Sequence, residues 1–396
     1  MNLKPSAVAF AVACLCGLAH NAQAQEWKFS GFGTVGAVHS SEKRADFTPA
    51  LAQRDGSGFT EDWATTSDTK LGAQLDAKFS PQWSATAQVL AKYRTQGSYK
   101  PAVATAFGRY APGGGFEIRA GRLAYASFLV SDYRDIGYSQ PWVRPPLEIY
   151  NVSFSHLDGA DLTWRTAVGS VGLKTQLLAG NTTEDQGQAV LTAKGVLGLN
   201  LTVDVGDFST RASYIRLNKV SASSPGIDGA FALVRNGGGP FQPDPADADE
   251  FEIKDKRATY ISWGMTYDPG TWFVTSEVGR LSRAGFEPRL TEYYVTSGVR
   301  IKAFTPYLGF ARIRHQDLGQ INNPIVQQFA NAFSTRDQQT TTMGLRWDFA
   351  NNADLKVQYD RVRNAGGATG LLQNVQAGMP TGGSYGVTSV NVDFVF

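Results

Sequence analysis

Along most of the chain, apolar and polar residues alternate one for one, in runs of about ten residues broken by turn signals. In 70–79, Leu71, Ala73, Leu75, Ala77 and Phe79 share one face, and Lys70, Gln74, Asp76 and Lys78 share the other. Ser80-Pro81-Gln82 is a tight turn, after which Trp83, Ala85, Ala87, Val89, Ala91 and Tyr93 oppose Ser84, Thr86, Gln88, Lys92 and Arg94. Trp83 and Tyr93 then mark the two ends of one apolar stripe. The same pattern sets Ile261, Trp263, Met265 and Tyr267 against Tyr260, Ser262 and Thr266, and Met343, Leu345, Trp347 and Phe349 against Thr342, Arg346 and Asp348. A period of two is a strand with one face in each of two environments, and about ten residues matches a tilted membrane-spanning strand.

Connections between these runs alternate in length. Short turns are expected near 80–82, 111–114, 169–171, 206–207, 268–270, 303–305 and 350–354. Long polar loops are expected near 40–66, 94–101, 124–158, 181–188, 220–256, 284–289, 316–336 and 365–384. If 149–156 were a separate strand the count would be odd and no antiparallel barrel could close. Assigned to the connection before it, the count is 16. The expected fold is therefore all-β: a closed antiparallel transmembrane β-barrel of about 16 strands with a long third loop.

Both ends of the chain support this. Lys4, an apolar run over 7–19 and Ala22-Gln23-Ala24 read as a cleaved signal peptide over 1–24, leaving 25–396 as one barrel domain. Cys14 and Cys16 lie in that leader, so the mature chain has no disulfide or thiolate chemistry. The last strand runs to the final residue: Val390, Val392, Phe394 and Phe396 oppose Ser389, Asn391 and Asp393. A terminal aromatic strand of this kind resembles the signal read by the barrel-assembly machinery, which makes that machinery an expected partner through Phe396. Aromatic residues make up 12% of the chain, yet mean hydropathy is −0.23. A barrel reconciles the two, because its lumen-facing residues offset a full lipid-facing band. A net charge of +2 argues against a nucleic-acid partner.

Signal peptide, strand count, long third loop and terminal Phe together resemble the general bacterial outer-membrane porin family. The likeness covers essentially the whole mature chain, but it is architectural. It implies a passive diffusion channel in the Gram-negative outer membrane, surrounded by lipid and lipopolysaccharide. It also implies a homotrimer, and a third loop folded into the pore with its acids facing basic residues on the wall. Here that loop carries Asp132, Asp135 and Glu148 with its own Arg134 and Arg144, and Pro145-Pro146 restricts its backbone. It lacks the Pro-Glu-Phe-Gly-Gly element of enterobacterial members, so no individual constriction residue is carried over.

Strand alternation supplies the remaining expectations. It puts Lys92, Arg94, Arg119, Arg300, Lys302, Arg312, Arg314, Arg346 and Lys356 on the lumen wall or at the mouths, with Arg122 at the start of the third loop. Asp76, Glu117, Glu277, Asp360 and Asp393 are the expected lumen acids, and Tyr260, Tyr294 and Phe310 the expected lumen aromatics. Cations exceed anions, which predicts a weak anion preference. The chain is expected to have no enzymatic activity, cofactor or metal. Gly31-Phe-Gly33-Thr-Val-Gly36 fits a dinucleotide fingerprint but lies inside the first strand. Gly382-Gly-Ser384-Tyr-Gly386 fits a nucleophile elbow but runs from a loop into a strand. His39, His156 and His315 lack metal spacing, and the acids of 244–255 read as a solvated outer loop. The alternatives are a substrate-selective channel, a barrel enzyme and an adhesin acting through 220–256.

Overall fold

The computed structural model describes residues 26–396 apart from 51–52, 152, 188, 317 and 320. The expected leader lies outside the described residues. Sixteen long strands close one antiparallel barrel, each paired with its neighbours in the chain. They are β1 (Glu26–Ser40), β2 (Lys70–Lys78), β3 (Trp83–Lys92), β4 (Ala102–Gly113), β5 (Phe116–Ala124), β6 (His156–Val168), β7 (Val171–Asp185) and β8 (Val190–Val205). The second half comprises β9 (Phe208–Ser223), β10 (Lys256–Tyr267), β11 (Trp272–Leu281), β12 (Leu290–Val299), β13 (Phe304–His315), β14 (Gln338–Ala350), β15 (Ala353–Asn364) and β16 (Gly383–Val395). Residues 149–156 form no strand, and α1 (Leu147–Tyr150) occupies part of the stretch that left the count open.

β1 closes the barrel. Its Phe32–Ser40 stretch pairs with β16, whereas Glu26–Thr34 pairs with β2. Trp63 and Ala64 add a short bridge to His39 and Val38. At the seam the glycine-rich stretch has a steric role. A Cβ on Gly31 or Gly33 would come within 2.2 or 2.3 Å of the Phe396 or Phe394 ring. Gly31 also exchanges both backbone hydrogen bonds with Phe396, at 2.8 and 3.0 Å.

The outward face is apolar, and its end at the short turns is an aromatic girdle. Trp83 and Tyr110 lie 4.5 Å apart, Tyr267 and Trp272 5.3 Å, and Phe304 and Trp347 5.9 Å. Such rings suit a membrane–water boundary. Tyr93, expected in the opposite girdle, instead leaves the strand and donates to Asp55 at 2.6 Å.

The interior is not uniformly polar. Phe128, Trp142, Ile149 and Tyr150 of the third connection pack with Leu157, Leu178, Val196, Ile215, Tyr260, Tyr294 and Tyr307 of the wall as one buried core. This core inverts the expected face of β13. Tyr307, Ala311 and Ile313 are buried, while Leu308 is 64% exposed. Arg312, Arg314 and Phe310 therefore point outward, not into the lumen: inward positions on β13 must be apolar to meet Trp142 and its neighbours.

The outer loops carry three further helices, α2 (Pro225–Asn236), α3 (Pro245–Phe251) and α4 (Pro324–Ser334). Each opens on a capping side chain followed by proline: Ser224, Asp244 and Asn323 accept from backbone N–H groups of the first turn. Phe231 of α2, Phe286 of the β11–β12 loop and Phe329 of α4 stack with centroids 5.3–5.9 Å apart. They make a small separate core above the barrel.

Candidate functional site

Inward positions on the strands are polar wherever no core faces them, and nearly all of these groups are engaged. The 125–155 segment draws on them in chain order. Asn200 of β8 and Arg211 of β9 donate to the Ala126 carbonyl, and Arg211 also donates to that of Phe128, each at 3.0 Å. Ser262 of β10 donates to the Ser127 carbonyl at 2.8 Å. Glu277 of β11 accepts from the Leu129 N–H at 2.8 Å, from Tyr294 at 3.1 Å and from Tyr150.

Further along, Lys356 donates to the Gly137 carbonyl at 2.7 Å, and Arg346 to those of Tyr138 and Gln140 at 2.7 and 2.8 Å. Trp142 donates to Thr296 at 3.0 Å. Arg144 forks onto Asp68 at 3.0 and 2.6 Å, reaches Ser389 at 2.7 Å, and lies 3.6 Å from Asp360. Burial opposes the Arg144 charge, but the two carboxylates more than offset it and raise its pKa. Glu148 accepts from Gln338 at 2.8 Å and from Thr340. Burial pushes its carboxyl above the ordinary value, against those two hydrogen bonds.

On the side of β2 to β4 the molecule is open. A cavity of about 430 Å³ lies between these strands and residues 131–136. Its lining includes Lys70, Lys92, Arg94 and Arg134, with Asp132 and Asp135 opposite. Lys92 pairs with Asp135 at 3.2 Å. Burial works to raise the Asp135 pKa, but Lys92, Lys70 and Arg134 outweigh it and hold the carboxyl well below the usual range. Lys70 makes no ion pair among the described residues, and the buried Arg94 Nε has no hydrogen-bond partner. Asp132 faces a second group of cations, Arg119, Lys174 and Arg211.

The sequence-derived residues thus fall into three sets. Lys92, Arg94, Arg122, Asp132, Arg134, Asp135 and Arg144 line the cavity, with Arg122 paired to Asp158 at 2.7 Å. Arg119 forks onto Asp161, while Glu148 and Arg346 hold the 125–155 segment. The third set is elsewhere. Arg300 bonds Asp268 and the Gly270 carbonyl across adjacent turns, Lys302 takes a left-handed turn conformation, and Arg312 and Arg314 face outward. Lys70, Asp68, Lys174 and Arg211 were missed as site residues. Alternation with Leu71, Leu173 and Tyr214 carried the signal for three of them, and only the loop's path singles them out.

The motifs for other chemistry do not assemble. Ser384 lies within β16 and leads into no helix. Ser155 and the His156 Nδ1 both bind Glu184, so the hydroxyl and imidazole are not aligned as nucleophile and base. Among the described residues no group of three metal-binding side chains occurs.

A closed 16-strand barrel with short turns at one end, long loops at the other and a lipid-type outer face is the fold of the bacterial outer-membrane porins. No protein-family model matches the chain, and no curated protein is similar to it. Solved structures are similar in fold. The outer-membrane channel DcaP of Acinetobacter baumannii aligns with TM-score 0.58 at 10% identity, over 94% of this chain and 97% of that one. OmpF of Salmonella typhi aligns with TM-score 0.55 at 12% identity, over 93% and 97%. The anion-selective porin of Comamonas acidovorans aligns with TM-score 0.54 at 12% identity, over 94% and 100%.

Proposed function

We propose that the chain is an outer-membrane diffusion channel for small hydrophilic solutes and ions, in which residues 125–155 lie across the lumen and narrow it, with a weak preference for anions. One observation carries the reading. The 125–155 segment is bonded to inward groups on β8 through β15, which leaves a single water-accessible space against β2–β4. The anion preference follows from how charges are used there. Asp68 and Asp135 are neutralised by Arg144 and Lys92, while Lys70 and Arg94 keep free charge. A low-dielectric wall focuses that field on the passing solute. The similar fold of a porin described as anion-selective is consistent with this. Export behind a leader over 1–24, residence in the outer membrane and assembly as a homotrimer belong to the same proposal. OmpT of Vibrio cholerae, a similar barrel, has been solved in a trimer form.

The test is single-channel recording of the folded protein in a planar bilayer under a potassium chloride gradient. Stepwise ohmic conductance is expected, with a reversal potential on the chloride side of zero. A folded barrel that conducts nothing would overturn the channel reading, and a potassium-side reversal would overturn the anion preference alone.

A further inference from the structure

Arg312 and Arg314, displaced from the lumen by the apolar core behind β13, are not isolated on the outward face. On β9, β10 and β11, Arg216, Arg257 and Arg280 share the faces of Tyr214, Ile261 and Val278. On β15, Arg361 and Arg363 continue the face of Val357 and Tyr359, which are 44% and 41% exposed. All seven lie at the strand ends that lead into the long loops. None makes an ion pair or donates a hydrogen bond among the described residues, whereas the arginines of the interior are nearly all engaged. The outward positions of β9 to β15 contain no Asp or Glu.

Register ties the arginines into a belt. Thr291 of β12 sits between Arg280 of β11 and Arg314 of β13. Gln339 of β14 sits between Arg312 of β13 and Arg363 of β15. Two strand spacings separate such partners by roughly 10 Å, and Arg312 is roughly 7 Å from Arg314 along its strand. Immediately toward the barrel's middle come exposed Tyr214, Tyr293 and Tyr359, then the aliphatic band. The order is aliphatic, tyrosine, arginine: hydrocarbon, boundary and headgroup level. The opposite end of the same strands has Trp272, Phe304 and Trp347 on this face and no free arginine, so only one leaflet is addressed.

From this placement we infer that the outward face of β9–β15 is a binding surface for phosphate-bearing lipid headgroups of the leaflet on the long-loop side. The guanidinium fork matches phosphate oxygens in two-point hydrogen bonds. An unpaired arginine facing out of a membrane barrel is costly unless an anion covers it. Seven of them over seven strands, with no carboxylate between, describe an anionic surface as the partner. A second copy of this chain would bring its own arginines against them.

The folded full-length protein in neutral detergent would be titrated with diphosphoryl lipid A, and separately with phosphatidylcholine, and binding followed by native mass spectrometry. Retained adducts of diphosphoryl lipid A, and not of phosphatidylcholine, are expected. Replacing Arg312, Arg314 and Arg363 together with glutamine should weaken the adducts roughly a hundredfold, since each basic group near a charged lipid surface contributes about fivefold. Raising salt should weaken them in the native protein. Unchanged adducts in the triple variant, equal binding of phosphatidylcholine, or self-association through this face would overturn the assignment. So would a shift in reversal potential in R312Q/R314Q, which would return these arginines to the channel. A native protein that binds the lipid but conducts nothing would leave the belt standing and remove only the channel reading.

Discussion

Arg144 is the point at which the 125–155 segment is fastened to the wall, and replacing it with methionine tests that directly. Its side chain is 7% exposed, as is that of Asp360, and that of Asp68 is 5%. Methionine fills similar volume but leaves the two carboxylates facing each other without a cation, and Ser389 without its donor. Removing one member of a buried ion pair costs about 3–5 kcal/mol, most of it the stranded charge. R144M should therefore lower the unfolding free energy by that amount. Neutralising the partner should recover part of it. D68N alone loses the bidentate fork, and the R144M/D68N double variant should fall short of the sum of the singles by about 2 kcal/mol. Equilibrium unfolding of the detergent-folded barrel reads the cycle, and single-channel conductance in the same variants should rise as 143–148 is released. An R144M protein within about 0.5 kcal/mol of the parent, or a purely additive cycle, would refute the fastening argument.

Glu277→Leu should destabilise by about 3 kcal/mol or more, because the Leu129 N–H and the Tyr150 and Tyr294 hydroxyls lose their shared acceptor; thermal midpoints of E277L and the milder E277Q would check this. Phe231→Ala should cost the outer cap about 3 kcal/mol, since Phe231 is 1% exposed and stacks on two other rings; faster proteolysis within 225–251 with an unchanged barrel midpoint is the expected readout. Asp135, held below the usual carboxylate range against burial by Lys92, Lys70 and Arg134, contributes stability that is complete above its unfolded pKa of about 4 and lost only as pH falls through the depressed folded value. Ion selectivity should accordingly stay flat from about pH 7 to about pH 4, while D135N should move the reversal potential further toward chloride at neutral pH.

Much of the barrel was legible because its outer face obeys one rule throughout. Ser389, Asn391 and Asp393 face inward as their alternation with Val390, Val392 and Phe394 indicates. The short turns also fell where glycine, proline and asparagine marked them, as at Asn351-Asn352 between β14 and β15. The inner face obeys no single rule. β13 reads Tyr307, Ala311 and Ile313 inward because Trp142 arrives from more than 150 positions upstream, and no local pattern announces that meeting. Arg312 and Arg314 were misassigned for that reason alone. Arg300 failed differently: its strand ends one residue earlier, and Asp268 draws it across the turn. Within the cavity, Lys92 and Asp135 were named separately, but their pairing needed the path of the loop. The helices of the outer cap were locally written in Ser224-Pro225, Asp244-Pro245 and Asn323-Pro324, although glycine and acidic content made that region read as open loop.

The split pairing of β1 has a mechanical consequence. Only Phe32, Gly33 and Thr34 carry strand partners on both sides in the main ladders, so the wall is thinnest in hydrogen bonds along an oblique line through them. Side chains reinforce that line: Thr34 donates to Asp393, and Thr69 accepts from the Gly36 N–H at 3.2 Å. Under lateral tension in the bilayer, shear would concentrate there rather than on the long β7–β9 ladders, making this seam the fault line along which the cylinder opens and the last edge to zip when it forms.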